Sequence, residues 1–386
     1  MAKTIDLHPG QELRFIVKQE LAQFTVKSGR VEMNMYPCPI DVVISVTGSR
    51  EVFLLATDRS KITLHSGCQS VYISHKSWVM QAPSIVNSTK FSGRDNNVMV
   101  IHGLYHPVFT LAQSISNTLC RLSQSVTMID LFSRHSAISP ATTISTIDIE
   151  EPFDSYSEIN SNPTVYSIAQ DDPLQAHLAK ILMNMKSGID MNRITIICAH
   201  SSMNLVKLHD IIPFSTIVCL SGELAHVQII KAFDPEMDYY PSIIAPEYLP
   251  DFHLSADLDT DFAKHYFRGY NPDAPLTPVS LAHQHLSNFT FYKYKVPFTD
   301  KSLLPDDADE SALTLVEATQ FNPSSQDLQD RLYGVLEDRA DTINATIVGY
   351  VLVTDVEEDQ LTLLLPSEDT IPSKNLVWIG VRAMVD

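Results

Sequence analysis

Val98-Met99-Val100-Ile101-His102-Gly103-Leu104-Tyr105-His106-Pro107-Val108-Phe109-Thr110, continued by LAQSISNTLCRLSQSVTMID to Asp130, is the stretch that decides the fold. Val98 to Ile101 is a short apolar run of the kind a strand covered on both faces requires, and Val126 to Ile129 repeats it. Between them Val108, Phe109, Leu111, Ala112, Ile115, Leu119 and Leu122 recur at helical spacing. The pattern predicts strand, tight loop, helix and strand, a βαβ unit with a right-handed crossover. A loop in this position is where nucleoside triphosphatases carry GxxxxGK[ST], whose amides and lysine hold phosphates. Here the eight residues run from Gly103 to Thr110. The first glycine and the last threonine fit, but Val108 stands for the second glycine, Phe109 for the lysine, and Pro107 has no N–H to offer. The reading is of a phosphate loop's frame without its chemistry.

Working outward, further buried strands are expected at Ile194–Cys198 and Thr216–Leu220, with helices at 174–185, 223–232 and 259–267. Strands alternating with helices indicate a mostly parallel sheet covered on both faces. Upstream, residues 11 to about 82 carry short alternating strands with turn signals such as Ser28-Gly29-Arg30, as in a small sandwich or barrel. Residues 82–97 read as a linker, and 234–250 as an irregular connection. Downstream, strands are expected at 289–293, 313–316, 346–353 and 361–365. Asp306 to Glu310 should be a solvated acidic loop, and Gln326 to Ile343 one amphipathic helix. The fold class is therefore α/β. A central P-loop-type sheet, residues 89–275, lies between an N-terminal β-sandwich or barrel domain, 1–88, and a small C-terminal mixed α/β domain, 276–386.

Composition narrows the function. A chain of 386 residues that is 44% hydrophobic can bury several cores. The formal charge of −19 argues against affinity-driving contact with a nucleic-acid backbone. Residues 1–100 hold 11 Lys/Arg against 8 Asp/Glu, so any RNA contact is expected there or through a partner. Five scattered cysteines without a CxxC pair suggest reduced thiols inside a cell. Neither a signal peptide nor a run long enough to span a bilayer stands out, so no membrane contact is expected. His102 and His106, four apart, straddle Gly103 and read as packed or surface histidines rather than zinc ligands. Ser221-Gly222 reads as a turn and cap. Phe289, Phe291, Tyr292 and Tyr294 could stack bases, although alternating aromatics on a strand are usually core.

A family resemblance spans most of the chain. Glu12-Leu13-Arg14-Phe15, Gly29 to Glu32, Gly67-Cys68, the degenerate loop at Gly103, Ile149-Glu150-Glu151-Pro152, Pro163-Thr164-Val165-Tyr166, His265-Tyr266-Phe267, Val348 to Thr354 and the ending from Leu363 succeed one another in order. This series resembles the Clp-type polynucleotide 5′-hydroxyl-kinase family, nearest the branch found in the pre-mRNA cleavage and polyadenylation machinery. The resemblance implies a choice between two roles. One is an ATP- and Mg²⁺-dependent RNA 5′-hydroxyl kinase, here with a rearranged phosphate loop. The other is a non-catalytic scaffold held by a cleavage-factor protein in the nucleus, with RNA contacted indirectly. A kinase needs a lysine at the phosphates, a metal-holding hydroxyl, an acid at the end of the neighbouring strand and a cationic lid. By resemblance Thr110, Asp130 and Lys264 occupy the last three places, while the lysine is Phe109. Also by resemblance, Glu12 would face the adenine base and Lys61 would stand nearby, with exposed strand charges as the alternative for both. The set Glu12, Lys61, Gly103, Val108, Phe109, Thr110 and Asp130 is thus read as a vestigial nucleotide site, with no cofactor expected unless ATP and Mg²⁺ are still bound.

Overall fold

A computed structural model of the chain describes residues 2–17, 21–47, 50–89, 91, 97–132, 138–140, 142–154, 162–168, 176–190, 192–221, 227–229, 232–233, 241–246, 258–269, 277–295, 317–339, 341–366 and 371–383. The first nine strands are β1 (Lys3–Leu7), β2 (Glu12–Val17), β3 (Leu21–Ser28), β4 (Val31–Met33), β5 (Tyr36–Pro37), β6 (Val43–Thr47), β7 (Arg50–Ala56), β8 (Ser60–Ser66) and β9 (Cys68–Ser74). They form a four-stranded sheet, β1-β8-β3-β6, and a five-stranded sheet, β5-β4-β7-β2-β9. Alternate residues of both sheets, among them Leu13, Phe15, Phe24, Val26 and Ile62, meet in one core, as in two sheets packed face to face.

The stretch expected to be a linker instead opens with a helix, α1 (Gln81–Ser88). Its polar composition hides only three buried residues, Ala82, Ile85 and Val86, which pack against the central sheet's core.

The central strands are β10 (Val98–Gly103), β11 (Val126–Asp130), β12 (Thr143–Ile149), β13 (Thr164–Ser167), β14 (Ile194–His200), β15 (Thr216–Cys219) and β16 (Ser242–Ile244). The helices among the described residues here are α2 (Tyr105–Arg121), α3 (Ala176–Lys186), α4 (Leu205–Ile211) and α5 (Leu258–Arg268). Strands β16-β15-β10-β14-β11 lie side by side and all parallel. The crossover from β10 through α2 to β11 therefore skips a place, which β14 fills. On one face Met99, Ile101, Ile196 and Cys198 pack under α1 and α2; on the other Val100, Ile129, Ile197 and Ile217 pack under α3 and α4. Both faces are covered, as expected from the unbroken apolar runs.

The sheet does not stay parallel. β12 and β13 join antiparallel, and β13 pairs with β21 of the C-terminal region through Val165↔Ile347 and Tyr166↔Thr346. The C-terminal strands are β17 (Val279–His285), β18 (Thr290–Lys295), β19 (Glu317–Gln320), β20 (Arg331–Leu336), β21 (Thr346–Glu357), β22 (Gln360–Leu365) and β23 (Asn375–Arg382). One mixed sheet thus runs through the central and C-terminal regions, ordered β16-β15-β10-β14-β11-β12-β13-β21-β20-β23-β18-β19, with β22 and β17 branching from β21.

Two expectations are corrected by this region. Residues 326–343 are not one helix: a single turn, α6 (Ser325–Leu328), is succeeded by β20 and a short 3-10 turn at Thr342–Asn344. Leu332 and Leu336 face one core while Tyr333 and Val335 face another, so a strand buried on both sides mimicked helical spacing. The irregular connection at 234–250 contains β16, parallel to β15. The expected strand 313–316, the acidic loop 306–310 and most of the helix 223–232 lie outside the described residues.

Candidate functional site

Parallel α/β sheets bind ligands outside the carboxyl ends of their strands. Here that edge is formed by Gly103, His200, Cys219 and Asp130, tied together by backbone bonds. Ser201 N–H donates to Gly103 O (2.8 Å), Leu220 N–H to His102 O (2.8 Å) and Leu131 N–H to Cys198 O (3.0 Å). After Gly103 the chain winds into helix at once, without an intervening loop. Leu104 is the N-cap, α2 begins at Tyr105, and Val108 N–H donates to Leu104 O at 3.2 Å. A phosphate loop would demand a positive backbone angle of Val108, a costly one for a β-branched residue. Val108 is absent from the left-handed residues of the described chain, so the helical winding removes that steric conflict.

Two side chains near the start of α2 point inward. Val108 is fully buried and Phe109 is 4% exposed. The Phe109 ring lies 5.2 Å from that of Phe132, which in turn meets His200 edge-to-face at 5.6 Å. Gly103 has a packing reason of its own, because a Cβ there would sit 2.8 Å from Leu220 Cβ. Thr110 is half-buried one turn into α2, its carbonyl accepting Ser114 Oγ–H at 2.9 Å.

Asp130 ends β11 with no exposed surface, and its Oδ1 accepts the Phe132 N–H at 2.8 Å. It is not on a strand neighbouring β10, as the kinase reading requires, because β14 stands between. The residues that end the two strands beside β10 are His200 and Cys219; His200 Nδ1 lies 2.8 Å from Ser202 Oγ. No local sequence pattern marks His200; only the strand order reveals its place. His102, expected to be packed or at the surface, is packed. It sits one residue before Gly103, 4% exposed, with neither ring nitrogen hydrogen-bonded. Burial depresses its pKa to about 4, outweighing the nearby Ser201 backbone, so the ring is neutral at physiological pH. Burial likewise pushes up the thiols of Cys198, beside Asp130, and of Cys219. All five cysteines are free thiols. No cluster of three metal-binding side chains occurs among the described residues.

Glu12 and Lys61 are not brought together: Glu12 lies on β2 in the five-stranded sheet, Lys61 on β8 in the other. Lys61 is half exposed, 3.6 Å from Asp6. The alternative that both are exposed strand charges fails for Glu12, which is entirely buried. Its carboxylate accepts from Arg14 Nε (2.7 Å), Ser77 Oγ (2.7 Å), Trp78 N (3.2 Å) and Val79 N (3.1 Å). Arg14, equally buried, donates to Lys76 O and packs against the Phe53 and Tyr72 rings. A buried carboxylate with this many charge-assisted partners is committed to the fold; here it fixes the turn that leads into α1. Lys264 rides on α5, whose Ala263 and Phe267 pack into the C-terminal core with Leu332 and Tyr350.

Three comparisons bear on this arrangement. Residues 276–382 match the family model described as Clp1, pre-mRNA cleavage complex II protein Clp1. No curated protein sequence matches. Among solved structures the chain superposes on Clp1p in its wild-type complex with Pcf11p, TM-score 0.75 at 15% identity, covering 99% of this chain and 98% of that one. It superposes equally, TM-score 0.75 at 16% identity and 99% of each chain, on a structure of the extended interface between Pcf11p and Clp1p, which also addresses ATP loss in a glycine-to-arginine point mutant. The C-terminal region thus matches the Clp1 family model, and the chain shares the fold of Clp1p along nearly its whole length.

Proposed function

We propose that this chain is a non-catalytic, scaffolding member of the Clp1 type, acting in nuclear pre-mRNA 3′-end cleavage while held by a cleavage-factor protein of the Pcf11 kind. The observation that carries the reading is position 109. Where a phosphate loop presents a lysine, this chain buries a phenylalanine against Phe132. The residues do not fit a triphosphate on two further counts: Pro107 lacks an N–H, and the Val108 N–H is bonded within α2. Losing one preorganised charge-stabilising contact costs about 10²–10³ in rate, and the stretch from Gly103 to Thr110 carries no Lys or Arg to supply it. Two observations support assembly rather than chemistry, the superposition on Clp1p–Pcf11p complexes and a net charge that disfavours RNA as a direct ligand.

The test is thermal melting of the whole chain with and without ATP and Mg²⁺. A ligand that binds the native state alone at 100 times its Kd adds about 2.7 kcal/mol, a readily measured shift; none is expected. Transfer of labelled phosphate to a 5′-hydroxyl oligoribonucleotide, abolished by Thr110→Ala, would establish the kinase instead. Affinity purification from nuclei should recover polyadenylation factors, and their absence would remove the scaffold role.

A further inference from the structure

The mixed sheet ends at β19, and among the described residues no strand pairs with its far side. Phe321 N–H donates to Phe291 O, so the β18–β19 ladder is bonded at Phe321, Thr319 and Glu317. Antiparallel pairs alternate, which leaves the N–H and C=O of Ala318 and Gln320 directed at the free side. An unpaired edge of this kind is a template for another strand.

Two hollows flank this edge and share Gln320. One, about 560 Å³, lies between β19 and the 3-10 turn at Thr342–Asn344. The other, about 400 Å³, is floored by Leu286, Phe289, Phe291 and Phe321. They lie on opposite faces of the sheet, the first beside Ala318 and Ile343 and the second beside Phe291 and Phe321, so alternate side chains of a strand added at the edge would face one or the other. The second is an aromatic pocket of the size that holds one or two bulky side chains. The charge beside the edge is one-sided. Glu317 and Asp341 line the first hollow and Asp359 the second, whereas among the described residues no Lys or Arg lines either. That disfavours a phosphate backbone and favours a cation.

We propose that the β19 edge is a docking edge for an extended, Lys/Arg-bearing segment of a partner protein, which adds a strand beside Ala318 and Gln320 and seats an apolar side chain in the aromatic pocket. Main-chain bonds would supply affinity, with the pocket and the three carboxylates supplying specificity, as in other strand-addition sites. The site is independent of the edge of the parallel strands and of whether nucleotide binds there.

Fluorescence anisotropy of the full chain with labelled acetyl-KVKVFVKVKV-amide tests it. The peptide is expected to bind at least about tenfold more tightly than its counterpart with Glu in place of Lys, and its fully N-methylated form is expected not to bind. Ala318→Pro removes an outward N–H that β18 does not use and should weaken binding by a similar factor, as should the pair Asp341→Lys, Asp359→Lys. The N-methylated peptide leaves the protein untouched, so the conclusion stands even if a variant fails to fold. Equal binding of Lys and Glu peptides, or binding indifferent to N-methylation or to a folded Ala318→Pro chain, would overturn the proposal. So would a dimer in sedimentation that Ala318→Pro abolishes, since the edge would then serve a second copy.

Discussion

His102 shows how much a single side chain can reveal once its neighbours are known. It is nearly inaccessible, neither ring nitrogen is hydrogen-bonded, and its pKa falls from 6.5 to about 4 because burial penalises the charged ring. A depressed folded pKa means that the unfolded chain takes up the proton first. The stabilisation is thus complete above the unfolded value near 6.5 and is lost as pH falls toward 4, with a ceiling of about 3 kcal/mol for a shift of this size. Urea unfolding of the wild-type chain between pH 7.5 and 4.5 should show this added loss against His102→Gln, which cannot titrate; parallel pH profiles would show that the imidazole is solvated after all. Phe109 was legible at this scale from sequence, since a missing lysine needs no structure to see. Glu12 was not, because its partners Ser77, Trp78 and Val79 lie 65 to 67 residues away.

At the scale of elements, α2 is the piece around which the regions meet. Its apolar periodicity was plain in the sequence, but its polar residues carry a second interface. Asn117, fully buried, donates from Nδ2 to Asn34 O and Phe153 O, each at 2.8 Å, and accepts the Phe153 N–H at 2.9 Å. Gln113 binds Asn34 and the Phe153–Asp154 backbone, and Arg121 pairs with Glu32. The helix thereby holds the N-terminal sandwich and the segment after β12 on one side. Asn117→Leu keeps the volume and strands Asn34 O and the Phe153 N–H, while Phe153 O keeps its bond from Gln113, so it should cost about 3 kcal/mol in equilibrium unfolding; a loss under about 1 kcal/mol would show that water replaces these bonds. Such long-range polar partners have no local signature. Nor did β20, where Leu332, Val335 and Leu336, together with Leu328 of α6, sit three and four apart, as on a helix, although two cores divide them. Gly334 was the contrary sign: a Cβ there would meet Ile347 at 2.9 Å and Val377 at 3.0 Å, so the sheet needs a glycine that a helix would disfavour.

The whole molecule adds what neither scale contains, a distribution of charge. Of the net −19, residues 1–100 contribute 11 − 8 = +3, so residues 101–386 carry −22. The edge of the parallel strands that in a kinase would receive RNA belongs to that acidic remainder. Non-specific nucleic-acid binding draws its affinity from counterions released by Lys and Arg, and falls steeply between about 50 and 200 mM salt. The isolated chain should therefore leave an oligo(U) of about twenty nucleotides unbound in filter assays at about 150 mM salt. Any weak retention at low salt should go with the sandwich, and charge reversal at Lys27, Lys61 and Arg59, three exposed basic positions of that domain, should abolish it. Saturable binding at about 150 mM salt that survives those reversals would place RNA on the central or C-terminal sheet, and with it a direct role that the reading of this chain as a holder of other proteins does not allow.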